Sequence, residues 1–246
     1  MKKYGLIGKK LGHSWSAKWF GEKFEREGNA DAEYRLYELD GVADLRTWAE
    51  RNGLKGFNVT IPYKEAVLEW MDELDETARG VGAVNCVDCR EGKLKGYNTD
   101  APAFAETLRP LLQPWHKAAL VLGTGGAAKA VGFALKGLGI EYKFVSRKPV
   151  GEAVGYDEAM DLAATHLLIV NATPVGMYPA TEASPWPEPQ RIGERHLCYD
   201  LIYNPQETLF LRQAKQAGAT VCGGLKMLQR QAELSWRVWN RATEGD

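Results

Sequence analysis

Over its first hundred residues this chain mixes short apolar runs with stretches at helical spacing, and beyond residue 117 the two alternate regularly. "YGLIG" predicts a short strand, and "SWSAKWFGEKFEREG" a helix capped by Ser14 or Ser16 and stopped near Gly28. A second helix is predicted from Asp44 to Asn52. In "GFNVTIPYKEA" Phe57, Val59 and Ile61 alternate with Asn58 and Thr60, the pattern of a buried strand, which Pro62 ends. Two residues later Lys64 opens a third predicted helix, running to about Leu74. "GAVNCV" and "KLKGYN" predict a strand pair joined around Glu91 and Gly92. "TDAPAFAETL" predicts a helix with Thr99 or Asp100 at its cap and Pro102 in its first turn.

The prolines of "RPLLQPWHK" predict a domain boundary. After it come apolar strands in "AALVLG", "EYKFVS", "THLLIVNA", "HLCYDLIY" and "ATVCG", and helices in "GGAAKAVGFALKGLG" and "TLFLRQAKQAG". Apolar strands separated by helices predict a parallel sheet covered on both faces. "YPATEASPWPEPQ" reads as a loop. "GLKMLQRQAELSWRVWN" is a closing helix whose Leu225, Leu228, Ala232, Ser235 or Trp236, and Trp239 form an apolar stripe. The predicted fold class is α/β with two domains. One spans residues 1–100 and is completed by the terminal segment 225–246; the other, over 101–224, holds the parallel sheet.

Of the 246 residues 45 % are hydrophobic, enough for one large domain or two smaller ones. Lys plus Arg number 31 against 32 Asp plus Glu, and the net charge of −1 gives no field to attract nucleic acid or an acidic membrane. Any anion must be held by a local site. No apolar run approaches the roughly 18 residues of a membrane span. Lys9, Lys10 and His13 interrupt any signal-peptide core in the basic start, which predicts a cytoplasmic protein. Cys86 and Cys89 form a lone C-x-x-C, with Cys198 and Cys222 far off and no His pair at ligand spacing. The cysteines therefore read as small, reduced strand residues, and no metal site is predicted.

Gly123, Gly125 and Ala128 of "VLGTGGAAKA" satisfy G-x-G-x-x-[GA] between a predicted strand and a predicted helix. Glycines there let the backbone turn tightly and approach a pyrophosphate, while the helix start supplies free N–H groups and positive potential. An NAD site places Asp or Glu about 20 residues past the first glycine. Here Ser146, Arg147 and Lys148 stand at that point. Two cations and a hydroxyl suit the 2′-phosphate of NADP and leave nothing for a bare ribose diol. In the other half, Lys64 and Asp100 fall where a strand or turn meets a helix, positions that present groups to a cleft. Taken singly, they read equally well as a surface lysine and a helix cap.

"HSWS", "NVTIPYK", "GAVN", "GYNTDA", "GTGGAAKA", "NATPVGM", "DLIYNP" and "GGLKMLQRQA" occur in the order seen in shikimate dehydrogenases, and the chain resembles that family from residue 4 to about 239. The resemblance implies a Rossmann-like NADP domain beside a substrate domain, and NADPH-dependent reduction of 3-dehydroshikimate to shikimate, a step towards aromatic amino acids. It makes Lys64 and Asp100 the catalytic pair, places Ser14 and Ser16 on the substrate carboxylate, and sets Thr60, Asn85, Tyr203 and Gln231 around the ring. It assigns Gly123, Thr124, Gly125, Gly126 and Ala127 to the pyrophosphate, and Ser146, Arg147 and Lys148 to the 2′-phosphate. Thr173, Leu201 and Gly224 fall at the nicotinamide end. The expected partner is the small-molecule substrate, bound by a monomer or homodimer.

These roles suit the chemistry. A protonated Lys64 stabilises the charge that develops on the ketone oxygen, and Asp100 orients the ammonium and accepts from a neighbouring hydroxyl. A quinate or dual quinate/shikimate dehydrogenase shares this pair, and an NADP-binding sensor would lack it. The second serine of "SWS" and the presence of both Lys64 and Asp100 favour the shikimate enzyme. Lys9 and Lys10, Ala101 and the Ser-Arg-Lys run depart from the family pattern, which touches loop shape and cofactor preference. The chain is also slightly short for the family, which implies trimmed loops in the nucleotide domain.

Overall fold

A computed structural model describes residues 1–12 and 14–241; His13 of the "HSWS" motif and residues 242–246 lie outside the described residues. The chain divides into two compact units, one of Met1–Thr99 with the segment from Ala232 onward, the other of Asp100–Gln231. The proline-bearing stretch at 109–117 falls inside the second.

In the first unit the order is β1 (Lys2–Gly8), α1 (Trp15–Arg26), β2 (Ala32–Glu38), α2 (Leu45–Asn52) and β3 (Leu54–Val59), then a 3-10 turn at Ala66–Trp70. β4 (Glu73–Leu74), α3 (Glu76–Val81), β5 (Cys86–Asp88) and β6 (Lys95–Tyr97) follow. They make a mixed sheet ordered β2-β1-β3-β5-β6-β4. Three features depart from the sequence pattern. β2 was not expected: "AEYRLYE" is an edge strand, half exposed, so its charges mask the alternation. β3 ends at Val59 rather than at Pro62. The Thr60 amide donates to the Ile7 carbonyl (2.9 Å) and Lys9 N–H only reaches the Ile61 carbonyl at 3.4 Å, Tyr63 N–H closes a turn onto Thr60, and Ile61 is left 69 % exposed. The helix expected from Lys64 to Leu74 is absent, because Met71 is extended and Asp72 pairs with Leu94 through N–H (2.8 Å) and Oδ2 (2.7 Å). Helix resumes as α3, capped by the Asp75 carboxylate on Ala78 N–H (2.7 Å).

The end of α8 (Leu225–Trp239) completes this unit. Trp239 stacks on Tyr4 at 4.9 Å, Trp236 meets Tyr4 edge-on at 5.5 Å, and Phe20 stacks on Tyr34 at 4.2 Å. The Trp239 indole N–H donates to the Val87 carbonyl at 2.9 Å, and Arg90 donates to the Val238 carbonyl at 3.0 Å. Lys23, buried in α1, pairs with Glu27 (2.6 Å) and with Glu233 of α8 (3.0 Å). Gly56 of β3 is what lets the indole in: a Cβ there would stand 2.3 Å from Trp239 Nε1.

The second unit runs α4 (Asp100–Leu108), β7 (Ala118–Leu122), α5 (Gly126–Gly137), β8 (Glu141–Val145), α6 (Tyr156–Leu162), β9 (Leu168–Asn171), β10 (Leu197–Asp200), α7 (Leu209–Gln216) and β11 (Thr220–Cys222). Its sheet, ordered β11-β10-β9-β7-β8, is parallel throughout, as the apolar strands predict. Val154 bridges Val145 in parallel. That single residue stands where a third strand stands in the doubly wound order 3-2-1-4-5-6. α6, a seven-residue helix with no side-chain cap, had no expectation attached to it. The proline-rich loop is pinned by Trp186, fully buried, whose indole donates to the Glu188 carbonyl at 3.0 Å. α4 is fastened by Thr107 to the Tyr199 hydroxyl (2.8 Å) and by Glu106 to Arg230 of α8.

The indole cavity over Gly56 yields a prediction. Gly56→Ala lowers unfolding stability by about 1–3 kcal/mol, through overpacking against a ring with no room to shift. A urea titration checks it, and an unchanged midpoint contradicts it.

Candidate active site

In the first unit the sequence-predicted residues gather where β1 and β3, parallel neighbours, end. Ser14 caps α1, accepting from Ser16 N–H at 3.3 Å, and its own amide donates to the Leu11 carbonyl just past β1. Thr60 leaves β3 beside Gly8, where a Cβ would come within 2.7 Å of the threonine methyl. Lys64, half-buried, sits in a turn rather than at a helix start. Buried Tyr63 and Val67 brace that turn, the phenol donating to the Leu39 carbonyl at 2.6 Å. The Lys64 carbonyl accepts from Val84 N–H at 2.8 Å, so the turn is sewn to the segment that carries Asn85.

Asn85 is the hub. Its Oδ1 accepts from Thr99 N–H at 2.7 Å and its amide nitrogen donates to Thr99 Oγ1 at 2.9 Å, all of it buried. Its backbone carbonyl accepts from Val59 N–H (2.9 Å) and from the Asn58 amide (3.1 Å). The Asn58 amide also donates to Ser235 Oγ of α8 at 2.8 Å, and Ser235 lies 3.3 Å from Thr99 Oγ1. Asn58 Oδ1 accepts from the Tyr34 phenol at 2.9 Å, and Ser16 hydrogen-bonds that phenol, whose titration burial pushes well up. One buried polar web thus joins Ser16 to Asn85 and Thr99. Asp100, peptide-bonded to Thr99, is buried and opens α4. Tyr34, Asn58, Thr99 and Ser235 were not read as site residues. Asn58 inside an apolar strand and Ser235 inside an apolar stripe were the signals available.

In the second unit the strand order reverses between β7 and β9, and such switch points open ligand crevices beyond the carboxyl ends of the strands. Gly123 follows β7 with φ of +107°, a conformation only glycine takes freely, and a Cβ there would lie 3.1 Å from the Thr173 methyl. Thr124 follows it in the loop. Gly125, with open space where a Cβ would be, caps α5 without a side-chain bond, which leaves the N–H groups of Gly126 and Ala127 at an uncapped helix start. Gly123 N–H donates to the Val145 carbonyl at 2.9 Å, next to Ser146. Ser146 Oγ then accepts from Lys148 N–H at 3.2 Å, folding a turn that leaves Arg147 and Lys148 exposed. Thr173 bonds Asn171 Oδ1 through N–H (3.0 Å) and hydroxyl (2.7 Å). Leu201 N–H donates to the Asn171 carbonyl at 3.0 Å, and Gly224 packs on the Leu201 carbonyl so closely that a Cβ would come within 2.1 Å. Gly123, Thr173, Leu201 and Gly224 therefore line one edge. Tyr203, expected at a strand end, lies in the loop past β10, and the Gln231 amide donates to the Leu228 carbonyl of its own helix at 3.0 Å.

A family model for the shikimate dehydrogenase substrate binding domain matches residues 6–87. The chain is 37 % identical over 262 residues to the NADP(+) shikimate dehydrogenase of Clostridium beijerinckii, covering 100 % of this chain and 96 % of that one. The chain belongs to the shikimate dehydrogenase family. The crystal structure of the Thermus thermophilus shikimate 5-dehydrogenase in complex with NADP(H) and shikimate is similar at TM-score 0.86 and 36 % identity, over 98 % of this chain and 94 % of that one. A Corynebacterium glutamicum quinate dehydrogenase in complex with NAD is similar at TM-score 0.85 and 29 % identity, over 97 % and 93 %.

In the second unit the loops that carry Thr173 and Leu201 hang on Asp200, buried at the end of β10. Its Oδ1 accepts from the Asn171 amide and Ile202 N–H, both at 3.0 Å, and its Oδ2 from the Thr208 hydroxyl at 2.7 Å. Burial pushes the carboxyl up to about 6 against the opposing pull of these bonds. A carboxyl raised by folding favours the protonated folded state. Its contribution to stability is full below about pH 4, the ordinary carboxylate range, and is lost as pH rises through about 6. The urea midpoint of the unaltered protein, taken relative to Asp200→Asn, should fall across that window. A flat difference contradicts the assignment.

Proposed function

We propose that this protein catalyses the reversible NADPH-dependent reduction of 3-dehydroshikimate to shikimate, in the formation of aromatic amino acids. The observation that carries the reading is the buried web of the first unit, which ties Ser16, Asn85 and the Thr99–Asp100 junction to the strand ends bearing Thr60 and the Lys64 turn. The second unit fits NADP. It offers an uncapped α5 start behind a left-handed glycine, exposed Arg147 and Lys148 at the end of the neighbouring strand, and no acid at that turn to engage a bare ribose diol.

Bound there, the reduced nicotinamide supplies the hydride. The remaining work falls to side chains. The Lys64 ammonium stabilises the charge developing on the carbonyl oxygen and delivers a proton to it. Asp100 accepts from a substrate hydroxyl. Ser14 and Ser16, at a helix start, seat the carboxylate, and Thr60, Asn85, Tyr203 and Gln231 surround the ring and its hydroxyls. Gly123 to Ala127 hold the pyrophosphate, Ser146, Arg147 and Lys148 the 2′-phosphate, with Thr173, Leu201 and Gly224 at the nicotinamide end. On this reading the first unit is the substrate domain and the second the cofactor domain.

NADPH oxidation with 3-dehydroshikimate as sole acceptor tests the activity, and faster turnover of quinate with NAD overturns it. Lys64→Ala should lose at least about a hundredfold in kcat while binding NADPH normally; unchanged turnover removes Lys64 from the mechanism. Replacing Arg147 and Lys148 by alanine should raise KM for NADPH by about tenfold or more and leave KM for NADH unmoved. Equal effects on the two coenzymes would show that these cations do not read the 2′-phosphate.

A further inference from the structure

Two buried histidines, His116 and His196, stand where the parallel sheet of the second unit begins, just ahead of β7 and of β10. Each closes the same kind of four-residue turn. Gln113 N–H donates to His116 Nδ1 at 3.0 Å, and His116 N–H returns to the Gln113 carbonyl at 3.0 Å. Gly193 N–H donates to His196 Nδ1 at 3.0 Å, and His196 N–H returns to the Gly193 carbonyl at 2.9 Å. The other ring nitrogens reach onward, His116 Nε2 to the Arg195 carbonyl and His196 Nε2 to the Ala163 carbonyl, both at 3.0 Å. Arg195 adjoins His196 in the chain, so the two rings lace the entrances of β7 and β10 to the end of α6, ahead of β9. An amide N–H only donates and a carbonyl only accepts, so each ring carries its proton on Nε2 and a lone pair on Nδ1. Both rings are therefore neutral, and a second proton would set N–H against N–H.

We propose that His116 and His196 form an acid-release latch: a proton taken up at Nδ1 of either ring opens its turn, and the second unit loosens at the entrances of its strands on mild acidification. The surroundings offer no relief. Among the described residues no carboxylate pairs with either ring; the charges that act on His116 are those of Arg195 and of His196 once protonated, both repulsive. His196 meets the backbone of Gly193 and Ala163. Lys117 and Glu194 in the adjoining turns, and Asp161 of α6, are exposed. His166, ahead of β9, differs: it faces the Thr165 hydroxyl at 3.0 Å, which can give or take a proton, so charging that ring breaks no bond. Burial holds both latch rings below the ordinary histidine range. The folded state thus takes up fewer protons than the unfolded one. The latch's contribution to stability is full above about pH 6.5 and is lost as pH falls below it. Asp200, in the same unit, titrates in the opposite sense, so the two effects must be separated. The latch does not depend on the proposed reaction.

Hydrogen–deuterium exchange of the β9 amides in the full chain, corrected for the intrinsic pH dependence of exchange, reads the opening of the second unit. His116→Asn and His196→Asn each keep an acceptor where Nδ1 stands and remove the titration. Taken relative to the double variant, in which the Asp200 contribution is the same, the opening constant of the unaltered protein should rise about hundredfold between about pH 7.5 and 5.5. Each single variant should show about tenfold. A ratio that stays flat, or a rise no smaller in the single variants than in the unaltered protein, overturns the proposal. Should a variant fail to fold, nitrogen-15 spectra of the unaltered protein decide alone. Both rings should show the Nε2–H form at neutral pH and stay neutral in whatever fraction remains folded at about pH 5.5. An Nδ1–H ring, or a charged ring in the folded protein, overturns the latch.

Discussion

The first unit depends on a clasp between two buried side chains. The Asn85 amide holds both the backbone and the hydroxyl of Thr99, at 2.7 and 2.9 Å, and so fixes where the chain stands one residue before Asp100. A buried amide satisfied in this way is costly to disturb, because each lost bond leaves a polar group without water to replace it. Asn58 and Ser235 extend the constraint to the β3 strand and to the last helix, so elements far apart in sequence hold one geometry. The aromatic packing of Tyr4, Trp236 and Trp239 supplies the dry surroundings that make the web rigid.

The second unit builds its proposed cofactor site by different means. Its functional groups are mostly backbone, presented by sheet topology: a left-handed glycine after β7, an uncapped helix start, and loops hung from Asn171 and Asp200 at the strand ends. The same topology explains the bare edge of β8. Ten residues separate the end of that strand from the helix Tyr156–Leu162, and they hold only one bridging residue, Val154. A short connection leaves peptide groups of that edge uncovered.

Much of this was legible in the sequence, and the reasons divide cleanly. The parallel strands and the glycine loop were readable because strands buried on both faces are uniformly apolar and a helix start over phosphate demands glycine. Ile61 misled because alternation continues past the point where the ladder stops; the Thr60–Tyr63 turn is set by hydrogen bonds, not by hydrophobicity. The helix expected after Lys64 failed because Asp72 and Leu94 pair at long range, which local propensity does not record. Asn58, Thr99 and Ser235 were visible as polar residues in apolar settings, yet their meaning is relational and emerges only when the fold unites them.

If Asp100 acts as proposed, Thr99 contributes to turnover only by fixing it. Turnover of Thr99→Val, Asp100→Asn and the double variant tests it most directly. The account predicts that Thr99→Val slows the otherwise unaltered enzyme and adds nothing, within about twofold, once Asp100 is replaced. The same fractional loss in both backgrounds would contradict it.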